Sequence, residues 1–230
     1  MSSTLGDESA APSPRTRVRR LPERARYDRA TVEAILDEGF VCHLGFCSDG
    51  EPVVIPTAYV RIGDVIYVHG APANHALRRA VEGDSVCLTV TLVDGLVLAR
   101  SAFHHSINYR SVVVFGTAHE VEDYDEKRFA LLAFVDHVVP GRRTDTRPPS
   151  DGELRATRVV KVDMVEVSAK VRAGGPKDDP EDLALTGIWA GEMPFHIVAG
   201  DPFPDPTTPV TAPLPTYLTS YQRPGPGTGA

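Results

Sequence analysis

Phe40-Val41-Cys42-His43-Leu44-Gly45-Phe46-Cys47-Ser48, then Asp49-Gly50, then Glu51-Pro52-Val53-Val54-Ile55-Pro56-Thr57-Ala58-Tyr59-Val60-Arg61 is the stretch that decides the fold. Phe40, Cys42, Leu44 and Phe46 alternate with smaller or polar residues, the period of a strand with one buried face. Asp-Gly suits the left-handed backbone of a tight hairpin turn. Val53 to Arg61 is then the returning strand, with Pro52 and Pro56 along it. Proline has no N–H for a ladder, so these positions belong at an edge or a bulge.

Working outward, Ile62-Gly63-Asp64 turns the chain into a third strand, Val65-Ile66-Tyr67-Val68-His69. On the other side, Asp28 is a helix N-cap, with Val32, Ile35 and Leu36 on one face and Gly39 as the stop. Asn74 to Glu82 reads as a second short helix, ended by Gly83. Ser85 to Val93 and Leu96 to Phe103 read as a hairpin around Asp94-Gly95. Tyr109 to Val121 is a long strand, in which Gly116 marks a bulge or a close backbone approach. Asp125 to Val138 is an amphipathic helix presenting Phe129, Leu132 and Ala133, and Arg158 to Val167 is the last strand. Tight turns between successive strands require antiparallel pairing, and closing such a sheet removes its edges. The expectation is a mainly β protein: an antiparallel barrel of six to seven strands with short flanking helices. Residues 1–16 read as a disordered leader, 17–200 as the domain, and 201–230 as a proline-rich tail that is extended on the surface or disordered.

Composition narrows the function. The chain has 230 residues and a net charge of −7. Such an acidic protein exerts no general pull on nucleic acid or anionic membranes. No apolar run approaches a membrane span, and Met1 to Pro14 has no apolar signal core, so a cytoplasmic location is expected. Three cysteines do not make a disulfide framework. They read as buried free thiols, and Cys42 and Cys47, five apart in a strand, point to opposite faces. The nucleophile elbow, the zinc-protease helix, the phosphate-binding Walker loop and the dinucleotide glycine fingerprint are all absent from the sequence. His104-His105 are neighbours in extended chain and do not converge on one ion, so no metal site is expected.

More informative is Tyr67-Val68-His69-Gly70-Ala71-Pro72-Ala73-Asn74-His75-Ala76-Leu77-Arg78-Arg79. A strand ends, a turn of small residues follows, and a helix begins whose first N–H groups and positive dipole end suit a phosphate. Arg78 adds charge there. The alternative is that Asn74 does no more than cap its helix.

Three pieces, Val53-Val54-Ile55-Pro56-Thr57, Gly63-Asp64-Val65-Ile66-Tyr67-Val68-His69-Gly70 and Tyr109-Arg110-Ser111-Val112-Val113-Val114-Phe115-Gly116, resemble the pyridoxamine 5'-phosphate oxidase-related family of FMN-binding split barrels. The likeness is to its nitroimidazole-reductase-like, flavin-nucleotide-binding branch. Pro140-Gly141-Arg142, Ser168-Ala169-Lys170-Val171-Arg172 and Ile188-Trp189-Ala190-Gly191 follow in the same order, so the resemblance covers about residues 17 to 200.

The resemblance implies a homodimer with FMN at the interface. Ile55, Pro56 and Thr57 would lie along the isoalloxazine ring and ribityl chain, and Tyr67, Val68 and His69 near the ring. Asn74 and His75 would meet the phosphate, and Arg110 and Ser111 would reach the flavin. Trp189 would close the pocket from the other subunit or pack in the core. Lys170 and Arg172 would hold the phosphate or the interface. The activity implied is an FMN-dependent oxidoreductase acting on a small aromatic or heterocyclic molecule, with His69 the candidate proton donor. The alternatives are a flavin store or redox sensor without turnover, and a split barrel using a deazaflavin or haem, the latter with His104 or His105 as axial ligand. The arginines between Arg15 and Arg29 form a solvated arm or clasp an acidic partner.

Overall fold

A computed structural model describes residues 11–83, 85–209 and 211–222, so the first ten residues of the leader and the last eight of the tail lie outside the described part. Ten strands are present: β1 (Ala25–Arg26), β2 (Val41–Ser48), β3 (Glu51–Ile62), β4 (Val65–Gly70), β5 (Val86–Leu98), β6 (Ser106–Gly116), β7 (Ala118–Glu120), β8 (Arg158–Asp163), β9 (Glu166–Arg172) and β10 (Gly191–Pro194). Five α-helices accompany them: α1 (Arg29–Glu38), α2 (His75–Glu82), α3 (Tyr124–Val138), α4 (Asp151–Arg155) and α5 (Thr216–Thr219). The protein is mainly β, with antiparallel ladders, as the sequence implies. The strand count exceeds the expected six or seven. The stretch read as one last strand is broken after Asp163 into β8 and β9, and β1, β7 and β10 are too short to show a period.

By contact, the chain divides into two compact units. The first comprises residues 1–39, 88–115 and 165–196; the second comprises 40–87, 116–164 and 197–230. In the first, the ladder order is β1-β9-β6-β5, with β10 also on β5. In the second it is β2-β3-β4-β8-β7. Neither path returns to its first strand, so among the described residues neither unit closes a barrel by itself.

In the first unit, Asp28 accepts a hydrogen bond from the Thr31 N–H at 2.8 Å and starts α1. The helix buries Val32, Ile35 and Leu36, the face read from the sequence, and Gly39 ends it. The expected hairpin at Asp94-Gly95 does not form: β5 runs straight through it. Gly95 is there for another reason. A Cβ at this position would lie 2.6 Å from the Met193 carbonyl oxygen, so the missing side chain admits β10 against β5. Part of the supposed leader is also fixed. The Arg15 Nε–H donates to Glu166 at 2.7 Å and its guanidinium lies 4.9 Å from the Phe115 ring centre.

In the second unit the β2–β3 hairpin turns at Asp49-Gly50, both with positive φ (54° and 82°). Pro52 and Pro56 sit in β3 opposite Cys47 and His43 of β2. They share strand parity, so both nitrogens face away from β2, and β4 pairs only with Tyr59–Ile62. No ladder needs the N–H groups the prolines lack. Val60, Tyr67, Val121, Ala130 and Val159 form a buried cluster beneath α3. Of the expected apolar face of α3, Ala133 packs against this cluster and Leu132 is half-buried. Phe129 is exposed, whereas Ala130 and Lys127 are covered, with the Lys127 ammonium donating to the Leu154 and Thr157 carbonyls at 3.4 and 3.0 Å. The tail docks as well. Tyr217 packs 3.6 Å from where a Gly141 Cβ would stand, and its hydroxyl donates to Asp145 at 2.7 Å. Among the described residues no helix is long and apolar enough to cross a membrane.

Candidate functional site

Among the described residues, 51–58 of β3 ladder only onto β2, which leaves the opposite backbone edge open along Ile55, Pro56 and Thr57. Ile55 and Thr57 are half-buried and Val54 is 64% exposed, so the edge is apolar and accessible. A planar heteroaromatic group finds apolar contact and backbone hydrogen-bonding partners on such an edge. Beyond β4, Asn74 caps α2 by accepting from the Leu77 N–H at 3.2 Å, while His75 and Arg78 are exposed. Gly70 makes this turn possible, because a Cβ there would sit 3.0 Å from both Asn74 Nδ2 and Leu77 Cδ1. Arg78 faces Glu82 at 3.9 Å; its neighbour Arg79 is more firmly held, donating to Ser48 Oγ at 2.9 Å and pairing with Asp49.

The three β4 residues part ways. Val68 is core. Tyr67 is buried, and its hydroxyl donates to Glu126 at 2.9 Å, with the Lys161 ammonium 2.7 Å from the same carboxylate. Burial, followed by the Glu126 hydrogen bond and charge, pushes the phenol up to about 12. Neither side chain is available to a ligand. His69 is different. Its ring meets the Phe134 ring edge-on at 4.6 Å, and among the described residues nothing hydrogen-bonds it. It opens into a groove of about 520 Å³ walled by Leu131, Leu132, Phe134 and Val135, with Thr146, Arg147, Pro149 and Glu153 around the rim. Burial lowers its pKa below the usual imidazole range, so the ring is neutral at pH 7. A neutral imidazole keeps one N–H and one nitrogen lone pair, so the ring has both a donor and a ligand atom to offer.

The other expected site residues belong to the first unit, and most are already engaged. Arg110 donates from Nε and Nη2 to Asp94 at 2.9 and 2.7 Å and from Nη2 to Glu38 at 2.9 Å, with Nη1 on Glu38 too. Its guanidinium joins β6, β5 and the end of α1, and the two carboxylates raise its pKa further. The guanidinium is thus a structural tie within the first unit. Ser111 Oγ donates to the Lys170 carbonyl at 3.4 Å, across the β6–β9 register. The Lys170 side chain is half-buried. Arg172 is buried, donating to Asn108, to the Gly174 carbonyl at 2.6 Å and to the Gly175 carbonyl at 3.1 Å. Trp189 is 68% exposed, so it is not core, and its ring lies 2.9 Å from a notional Gly191 Cβ.

His104 and His105, raised as haem ligands, each engage one ring nitrogen in the first unit, and His105 Nε2 has no hydrogen-bond partner among the described residues. His105 Nδ1 lies 2.9 Å from the Ser101 carbonyl, and His104 Nε2 lies 3.0 Å from Asp179. Asp179, with Asp178 and Asp182 close by, raises the His104 pKa. A raised histidine pKa means that the pair stabilises the fold fully below the unfolded pKa of about 6.5, and that this stability is lost as pH rises through the higher folded value. Titration of the His104 ring by NMR is expected to give a midpoint above 6.5, falling toward it in Asp179→Asn; equal midpoints would remove the pair from the account. Among the cysteines, Cys42 is buried and its thiol is pushed up to about 12 by burial, while Cys47 is exposed, contrary to expectation.

The pyridoxamine 5'-phosphate oxidase family model matches residues 28–171. The flavocytochrome Anf3 from Azotobacter vinelandii is 42% identical over 92% of this chain and 98% of its own, with a TM-score of 0.86. The chain belongs to the pyridoxamine 5'-phosphate oxidase family. An FAD and haem binding protein from Mycobacterium smegmatis is 33% identical over 86% of this chain and 96% of its own, with a TM-score of 0.81. A 5-nitroimidazole antibiotic resistance protein homologue from Bacteroides thetaiotaomicron is 27% identical over 64% of this chain and 86% of its own, with a TM-score of 0.53. No curated protein matches the chain. The branch suggested by the sequence is thus among the relatives. The groove beside His69 was missed because the face of α3 that lines it was read only in part; the signal was present in Leu131, Phe134 and Val135, which recur at helical spacing.

Proposed function

We propose that this protein is a flavin-dependent electron-transfer oxidoreductase that also binds haem, with His69 as an axial ligand. The observation that carries the reading is His69 itself: a neutral, unpartnered imidazole in an apolar groove. Haem needs an uncharged nitrogen lone pair and an apolar wall, and β4 and α3 supply both. The two relatives above 30% identity carry a flavocytochrome name and an FAD and haem binding name, which supports pairing the two cofactors. The flavin's place is the open β3 edge at Ile55, Pro56 and Thr57, with Asn74, His75 and Arg78 beyond it. The mycobacterial relative's name favours FAD over the FMN expected from sequence. Flavin and haem supply one- and two-electron chemistry; the protein fixes their position and solvent access.

A homodimer completes the reading. In the second unit Ile197, Val198 and Phe203, close together in the chain, are between 73% and 91% exposed. A second copy would cover these large apolar side chains.

The test is an absorption spectrum of the purified protein, with mass identification of what denaturation releases. A Soret band together with flavin bands, and FAD and haem in the released fraction, is the expected result. Flavin alone would remove haem from the proposal, and a colourless protein that takes up neither cofactor would overturn it. Reduction by NAD(P)H, followed by reoxidation with turnover of an acceptor, separates an enzyme from a flavin store.

A further inference from the structure

The first unit has a groove built from its own residues. It has a volume of about 230 Å³ and is lined by Arg24, Arg26, Arg172 and Lys177, with Val171, Ala173, Gly175 and a single carboxylate, Glu23. Like charges do not gather in a cavity without something to offset their repulsion.

The sources of offset are few. The Arg26 side chain donates to the Glu23 and Ala25 carbonyl oxygens, at 2.9 and 2.6 Å, and acts through space on the Asp28 carboxylate. Arg172 donates to Asn108 and to two backbone carbonyls, none of which carries charge. Its Nε is buried and has no partner. Arg24 and Lys177 have no hydrogen-bond or ion-pair partner among the described residues. Glu192 stands behind the group, accepting from Asn108 Nδ2 at 2.7 Å and acting on Arg172 only through space. The pocket is therefore short of negative charge and has unused N–H donors around it. Arg172 is 6% exposed, rigidly held through β9, and so preorganised for an anion rather than swept through solvent.

We propose that this groove binds a phosphate-bearing ligand, a phosphate ester or a pyrophosphate. Arg172 and Arg24 would present planar N–H forks to the phosphoryl oxygens, with Lys177 and Arg26 as point charges at the rim. The phosphate has two possible sources: the flavin's own phosphates, or those of a separate ligand such as a nucleotide electron donor. The site is built by one unit alone, and it stands whether or not haem is bound at His69.

Calorimetric titration with inorganic pyrophosphate tests it, on the protein as purified and on flavin-stripped protein, each with the Arg24→Ala/Lys177→Ala double variant. Both substituted side chains are unpartnered, so the fold should be unaffected. Saturable binding that weakens with added salt, and at least tenfold in the double variant, is expected. If binding occurs on the protein as purified and the variant keeps its flavin content, the ligand is a separate phosphate compound. If binding appears only after stripping and the variant loses flavin, the phosphate is the flavin's. Absence of saturable binding in both forms, or an unchanged affinity in the double variant, overturns the proposal while leaving the released-cofactor evidence for flavin untouched.

Discussion

His69→Ala is expected to abolish the Soret band while leaving flavin content at the wild-type level. The ring ends β4 and projects into a groove whose other walls are the apolar residues of α3. No other histidine lines that groove. Removing a sole protein ligand costs a metal centre most of its affinity, so haem occupancy should fall at least tenfold. The substitution also deletes a ring contact with Phe134, and a general loss of stability has to be separated from loss of a ligand. Two readouts do so. Flavin bands and the unfolding midpoint report on the fold, and external imidazole should restore a Soret band in the cavity left behind. A variant that keeps its haem, or one that loses flavin in parallel and gains nothing from imidazole, would show that His69 is not the ligand.

Arg110→Ala is expected to destabilise the first unit. Arg110, Glu38 and Asp94 form a three-part ion pair, with side chains 14%, 14% and 31% exposed. Cutting out the cation leaves two partly buried carboxylates sharing one space. Breaking a buried pair in this way costs about 3 kcal/mol, and partial exposure puts this case at or below that figure. Urea unfolding at pH 7 measures it. Wild-type stability with lost flavin would return Arg110 to the cofactor-binding role that its position in the family resemblance implies.

Much of this architecture was legible from local patterns. The alternation at Phe40, Cys42, Leu44 and Phe46, the Asp49-Gly50 turn and the caps at Asp28 and Asn74 each involve residues a few positions apart, and each appears where it was read. Asp94-Gly95 shows the limit of such reading. The same dipeptide chemistry that turns β2 into β3 runs straight through β5, because β10, a hundred residues away, uses the space above Gly95. Likewise Tyr109 to Val121 reads as one strand, yet it breaks at Gly116, where Val162 Cγ1 stands 3.0 Å from a notional Cβ.

The candidate site divides in the same way. Sequence by itself determined the class of fold, the family, and the segments that carry chemistry: the β3 edge, the end of β4 and the start of α2. Those follow from hydrophobic period, proline and glycine placement and motif order, which are properties of neighbouring residues. Tertiary structure alone decided which side chains remain free to act. Tyr67 is committed to Glu126, Arg110 to Glu38 and Asp94, and His104 to Asp179, leaving His69 in its groove and Arg24 with Lys177 in theirs. A titratable group is spent or available according to partners that are 16 to 75 residues distant in the chain, and no local pattern encodes that separation.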